Sequence, residues 1–326
     1  MRGFARRSPV FLALALALLF TAFASATATS SKVRHVDVNK AGAKKIRITG
    51  DWLAAGRGGI WLSGMEEIYR FNPRTGRRLA KIPVPQGPCQ ATDVGAGAVW
   101  TATCGVPGLA KIDSKRNRVA RHVALPVSVD YFGEGSIGVG AGAVWLVTDG
   151  PDCTACRVSR VDPGRMEVTA EIPVRIGAAG VRVGAGSVWV TNPVEDVVQQ
   201  IDPATRKVNR TIKTGRGPRF FDVGKGAAWT LDQVDGTVTR IDADTGRTAR
   251  IAAGVRGEGG DLTVGGGFVW ARGSDRLLTK IDPKRRKVVA RYGPSSGSGA
   301  VIVGGGAVWI SAHDVNTVWR LPLGDA

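Results

Sequence analysis

The chain has 326 residues, 45 lysines and arginines against 27 aspartates and glutamates, and a formal net charge of +18. Its 43% hydrophobic content is ordinary for a globular protein, and a charge this large bears on partners rather than on fold. The 45 glycines, about twice the usual share, sit in no low-complexity tract, and no long segment has a helical period. They belong to turns, so an all-β chain of many short strands is expected.

The first residues have their own logic. Arg2, Arg6 and Arg7 precede the apolar run VFLALALALLF (10–20), and TAFASATA (21–28) follows with small residues at alternating places. A basic start, a short apolar stretch and an A-x-A site make residues 1–28 a secretory signal peptide, cleaved after Ala26 or Ala28. The apolar run falls short of the roughly 20 residues that span a bilayer, so no membrane-spanning segment is expected after cleavage. An exported protein, extracellular, in the cell envelope or periplasmic, follows. Residues 29–43 form a leader of uncertain order, and residues 44–326 a single domain.

That domain is a repeat. Tryptophans fall at Trp61, Trp100, Trp145, Trp189, Trp229, Trp270 and Trp309, 39 to 45 residues apart. Glycines stand five and three residues before each of them, as in Gly184 and Gly186 before Trp189. A lone Gly-x-Gly beside an apolar run has two readings, a phosphate-binding loop or a hairpin turn. Seven copies at regular intervals leave the turn. Upstream, apolar residues alternate, as in Val181/Val183 and Phe221/Val223, the period of a half-buried strand. Downstream come the tryptophan strand, a polar loop, a third strand ending in Ile-Asp or a near variant, a turn and a fourth strand. Four strands in roughly 40 residues, repeated, make a blade of a β-propeller. Seven four-stranded antiparallel blades are expected, with the tryptophans packed between neighbours. The seventh copy, VWISAHDVNTVWRLPLGDA (308–326), stops after a third strand. KKIRIT (44–49) looks like the fourth strands of other copies, so this N-terminal strand is expected to complete the last blade.

The stretch VGAGSVWVTNPVEDVVQQIDPATRKV (183–208) resembles the bacterial seven-bladed propellers of the YVTN, NHL and streptogramin-lyase-like superfamily, over nearly all of the domain. The resemblance implies architecture and leaves activity open, since relatives include ligand binders, interaction scaffolds, surface proteins and a lyase that opens cyclic peptide-lactone antibiotics. In the lyase, histidines and glutamates at the pore mouth act with magnesium. A glutamate also typically stands three residues after each blade tryptophan; here Gly64, Thr103, Thr148, Asn192, Asp232, Gly273 and Ala312 occupy that place. Of three histidines, His35 lies in the leader and His122 in a fourth strand, leaving His313 in a surface loop. Lactone hydrolases of related shape hold a metal with carboxylates from several blades, for which Asp93, Asp222 and Asp261 are the candidates. Solvated channel-lining aspartates is the preferred reading of these three. No catalytic constellation, metal site or cofactor is therefore called for, and a metal-dependent lyase or hydrolase at the pore mouth stays as the alternative.

Four cysteines in an exported chain permit disulfides. Counted outward from the turn at Ala96-Gly97, Cys89 faces Cys104 across the hairpin. Cys153 and Cys156 stand in CTAC, inside a loop longer than its counterparts, where a local disulfide is preferred to a redox or metal motif.

The excess charge has a place. The turns between third and fourth strands read PRTGRR (73–78), SKRNR (114–118), PGRME (163–167), PATRK (203–207), ADTGR (243–247) and PKRRK (283–287), with fourteen basic residues and two acidic ones. In a propeller these turns share one face, so Arg74, Arg77, Arg78, Lys115, Arg116, Arg118, Arg206, Lys207, Lys284, Arg285, Arg286 and Lys287 make a basic rim. Two readings stand: a docking face for an anionic envelope component or an acidic protein, or solvated turns filled by an arginine-rich composition. Nucleic acid is disfavoured, because the chain is exported and these turns hold no aromatic residue to stack a base. On the opposite face, loops bring Tyr131, Glu134, Arg175, Arg216, Arg219, Arg256 and Glu258 toward the pore mouth, a candidate site for a small anion or an acidic peptide. Nothing in the sequence signals an oligomer, so a monomer is expected.

Overall fold

A computed structural model describes residues 32–127, 134–148 and 155–324. The signal-peptide reading for 1–28 falls outside them, as do Tyr131 and Cys153.

Seven sheets follow one another in chain order, spanning residues 53–83, 88–124, 137–173, 181–213, 218–252, 260–293 and 301–322, here blades 1 to 7. Within blades 1 to 6 each strand pairs antiparallel with the next in sequence, and the innermost strands of adjacent blades abut. The ring closes as the truncated seventh repeat requires: strand Lys44–Arg47 pairs antiparallel with Thr317–Pro322, with Lys44 opposite Arg320 and Arg47 opposite Thr317. A further strand, Arg34–Asp37, pairs in parallel with Lys287–Gly293 and gives blade 6 a fifth strand. Nothing marked it in the sequence, because a parallel pairing needs no adjacent turn and RHVD shows no clear alternation.

The Gly-x-Gly-x-x-Trp spacing has three physical causes. The residue between the glycines and the second glycine both have positive φ, as at Ala185 (47°) and Gly186 (74°), which makes the type I′ turn that matches strand twist. The first glycine lets blades touch: a methyl group on Gly184 would stand 2.8 Å from Cγ1 of Val223 in blade 5. At the ring seam, Gly304 meets Ile60 of blade 1 in the same way, at 2.6 Å. Finally, the carbonyl of that first glycine accepts the indole N–H of the tryptophan, at 3.0 Å for Trp61 and Trp189 and 3.2 Å for Trp309. All seven of these indoles are buried. Burial of so large an amphipathic ring requires a partner for its N–H, and the turn supplies one.

A second repeated device lies in the third strands. The residue two places before the terminal Asp or Asn is usually basic and lies over the blade tryptophan, Arg70 at 5.1 Å from the Trp61 ring and Lys111 at 5.2 Å from Trp100. Each also reaches the next blade, Arg70 Nη1 donating to Ser114 O at 2.7 Å and Lys111 Nζ to Pro163 O at 2.7 Å. Arg320 closes the series by donating to Pro73 O of blade 1. Part of the basic excess is thus a set of cation–π latches between blades.

Cys89 and Cys104 form a disulfide with Cα atoms 5.3 Å apart. The hairpin register is regular from Gly95–Ala98 to Thr92–Thr101, then shifts before Pro88–Thr103, so the sulfurs meet beside an irregularity rather than on a continuous ladder. Cys156 is also disulfide-bonded. Replacing Cys89 and Cys104 together by serine is expected to cost about 3 kcal/mol, from the loop entropy of a 15-residue separation. Thermal melts with and without reductant check it: reductant should lower the wild-type midpoint by more than the variant's, which keeps only the disulfide of Cys156.

Candidate functional site

Three regions qualify: the channel, the mouth on the inter-blade-loop face, and the opposite face of basic turns.

The channel encloses a cavity of about 170 Å³, lined among others by Asp93, Arg182, Asp222 and Asp261. The three aspartates lie on innermost strands, half-buried at Asp93 and Asp222 and buried at Asp261, and they are engaged rather than simply solvated. Asp93 accepts the N–H of Val94 at 2.7 Å and of Val139 in blade 3 at 2.8 Å. Asp222 likewise bridges to Val264 of blade 6, and Asp261 to Val301 of blade 7. Each carboxylate thereby pairs an edge-strand N–H that faces the channel and has no ladder partner, a group costly to leave bare. Arg182 donates to the carbonyls of Gly135 and Ile137, 3.2 and 3.1 Å away, and lies over Trp52. Among the described residues no group of three or more His, Cys, Asp or Glu side chains is arranged to hold a metal.

Burial pushes all three carboxyls up against the opposing pull of Arg182, Asp261 to about 7. A folded pKa above the unfolded value stabilises fully below about pH 4, and that contribution is lost as pH rises through about 7. Moving from pH 8 to pH 6 should therefore add about 1 kcal/mol of stability through Asp261. The check is the thermal midpoint in wild type and in Asp261→Asn. The variant's gain over that interval should be smaller, and equal gains would show that Asp261 is ionised throughout.

At the mouth, half-buried Glu134 and buried Arg219 form an ion pair, 2.8 Å, between the loop entering blade 3 and the innermost strand of blade 5. Burial raises the Glu134 carboxyl, with Arg219 opposing. His313, in the loop after the blade 7 tryptophan strand, sits between Asp51 (Nδ1 to Oδ2, 3.3 Å) and Asp314 (Nε2 to Oδ1, 2.6 Å). The neighbouring Asp51 carboxylate raises the imidazole pKa despite partial burial. Asp51 and His313 are also within electrostatic reach of Glu134. The other arginines expected at the mouth, all in inter-blade loops, are engaged by adjoining loops between second and third strands: Arg175 pairs with Glu195, Arg216 with Asp235 at 2.8 Å, and Arg256 donates to Val234 O at 2.9 Å. Glu258 is exposed beside them. Asp51 escaped the sequence reading because it stands in a connecting loop, 262 positions from its histidine. Asp232, the acid that follows a blade tryptophan by three, accepts the hydroxyls of Thr230, Thr237 and Thr239.

On the opposite face, the turns between third and fourth strands abut the Gly-x-Gly hairpins. Arg57 Nε donates to Ser114 Oγ at 2.9 Å, and Ala243 N to Gly226 O at 3.1 Å. All fourteen basic side chains of these turns are exposed. The acids beside them serve the turns: Asp113 accepts the N–H groups of Lys115 and Arg116, Asp202 those of Ala204 and Thr205, Asp282 those of Lys284 and Arg285. The hydrogen bonds from Arg116 hold Asp113 down to about 2, so it stays ionised. Only three of the fourteen, Arg116, Arg165 and Arg285, make an ion pair among the described residues.

No family model matches this sequence, and no curated protein matches it. Solved structures do. Virginiamycin B lyase from Staphylococcus aureus superposes with a TM-score of 0.67 at 15% identity, covering 86% of this chain and 98% of that one. A catalytically inactive histidine-to-alanine variant of that lyase, with quinupristin, gives 0.69 over the same shares, again at 15% identity. BamB from Moraxella catarrhalis gives 0.57 at 10% identity, over 82% and 81%. At these identities the likeness is one of fold. The chain shares the seven-bladed β-propeller fold of that lyase.

Proposed function

We propose that this protein is an exported, non-catalytic binding module that docks on an anionic component of the cell envelope through its face of basic turns. The carrying observation is that fourteen cationic side chains share one face, all exposed, while Asp113, Asp202 and Asp282 beside them are engaged in capping turns. Each such cation near an anionic surface is worth about 1 kcal/mol, and the effect fades within a Debye length as salt rises. Export is supported by the signal-like N-terminus and the disulfides. The test is co-sedimentation of the mature chain with vesicles of anionic and of zwitterionic lipid. Binding to the first alone, reversed by about 0.5 M salt, is expected. Equal binding to both kinds, or to neither, would remove the docking role.

A second reading is favoured by His313, held between two carboxylates at the mouth, because a histidine variant of the structurally similar lyase is inactive. Loss of virginiamycin B on incubation with the wild type, but not with His313→Ala, would support acid–base chemistry there.

A further inference from the structure

The face opposite the basic turns has a property that the propeller does not require. Five of its seven loops between second and third strands carry an exposed aliphatic residue: Met65 (80% exposed), Val106 (51%), Val194 (65%), Val234 (52%) and Val315 (49%). Ile176, 54% exposed, stands in the adjoining loop between blades 3 and 4. Single exposed aliphatics are common on any surface, but here they occupy equivalent places around one face. Such tips ordinarily suit Gly, Asn, Asp or Ser, so the fold does not demand aliphatics there. A cleft of about 340 Å³ opens among them, lined by Pro193 and Val234 together with Gly217, Gln233, Gly257, Glu258 and Arg219, whose charge is paired with Glu134.

The charge on this face is also reversed. Among the described residues, its inter-blade and second-to-third loops hold nine carboxylates and four arginines. Anionic lipid and nucleic acid are repelled by such a surface. A second copy of the chain has a complementary basic face, yet among the described residues only Val168, 40% exposed where a fourth strand leaves its turn, offers a large aliphatic group there, too few to cover the five tips.

We propose that this face is an interaction surface for a segment of another protein that carries aliphatic side chains beside lysines or arginines. The aliphatic groups enter the cleft at Pro193 and Val234 and cover the neighbouring valines, while the basic groups meet the carboxylates between the tips. Burial of the valines supplies affinity and charge complementarity supplies partner choice. This surface is independent of the basic face, and its success or failure leaves the docking role untouched.

The experiment is fluorescence anisotropy with a labelled twelve-residue peptide of alternating leucine and lysine, and the full chain at physiological salt. Peptides of alternating serine and lysine, and of leucine and glutamate, serve as comparators. Val194→Ser combined with Val234→Ser should weaken binding of the leucine–lysine peptide about tenfold. Both positions are exposed, so the variant keeps the wild-type melting profile. The proposal requires the leucine–lysine peptide to bind at least tenfold more tightly than either comparator. Equal binding of the serine–lysine peptide removes the role of the aliphatic tips, and equal binding of the leucine–glutamate peptide removes that of the carboxylates. No binding, or undiminished binding by the double variant, overturns the surface. Self-association by light scattering that disappears in the double variant would assign the face to a second copy and overturn the proposed occupant.

Discussion

Replacing Trp189 by alanine is expected to lower the free energy of unfolding by about 3–5 kcal/mol. The indole is buried between blades 4 and 5, in a cluster with Val198, Phe221, Ala228 and Ile241. Its removal leaves a cavity that the close approach of Gly184 to Val223 hinders from collapsing, because the glycine backbone already lies against the valine side chain. It also removes the N–H that satisfies the Gly184 carbonyl. The midpoint of thermal unfolding should fall by roughly 10 °C. Trp189→Phe separates the two contributions, since it refills most of the volume and loses only the hydrogen bond, for about 1–2 kcal/mol. A phenylalanine variant as unstable as the alanine one would show that the hydrogen bond, not the packing, fixes the glycine–tryptophan spacing.

Charge reversal on the basic face is the second large effect. Glutamate at Arg77, Arg78, Arg285 and Arg286 is expected to weaken binding to anionic vesicles by at least about a thousandfold, at roughly 1 kcal/mol for each cation lost. All four side chains are exposed, and among the described residues only Arg285 makes an ion pair, to Asp282 at 3.8 Å on the surface. Stability should therefore move by no more than about 0.5 kcal/mol. The measurement is vesicle co-sedimentation at low salt beside a thermal melt. Unchanged binding with an unchanged melt would mean that these turns are merely solvated. A lowered melt would instead implicate them in holding the blades, as the neighbouring Arg70 and Lys111 do.

The difference between those two sets of cations was invisible along the chain. Arg70 stands two residues before Asn72 on a strand, and Arg74 two residues after it in a turn, yet one bridges blades and the other faces solvent. Both belong to an arginine-rich repeat, and the turn sequences, which concentrate the excess charge on the rim, do not mark the strand cations as bridges between blades.

Blade number, hairpin turns, the buried tryptophans, the closing strand and the face that carries the basic turns were determined by the sequence itself. Each is encoded within about 40 residues by alternation, glycine at positive φ and turn chemistry, and repetition makes the pattern readable. The tertiary structure alone decided what the polar side chains of the channel and mouth do. Asp93, Asp222 and Asp261 meet the N–H groups of the following blade, Glu134 meets Arg219 across 85 positions, and His313 meets Asp51 only because the ring closes. These contacts join residues outside the repeat's shared pattern, so no local period announces them. Electrostatics sums over distance in space, and that distance is set when seven blades close into a ring.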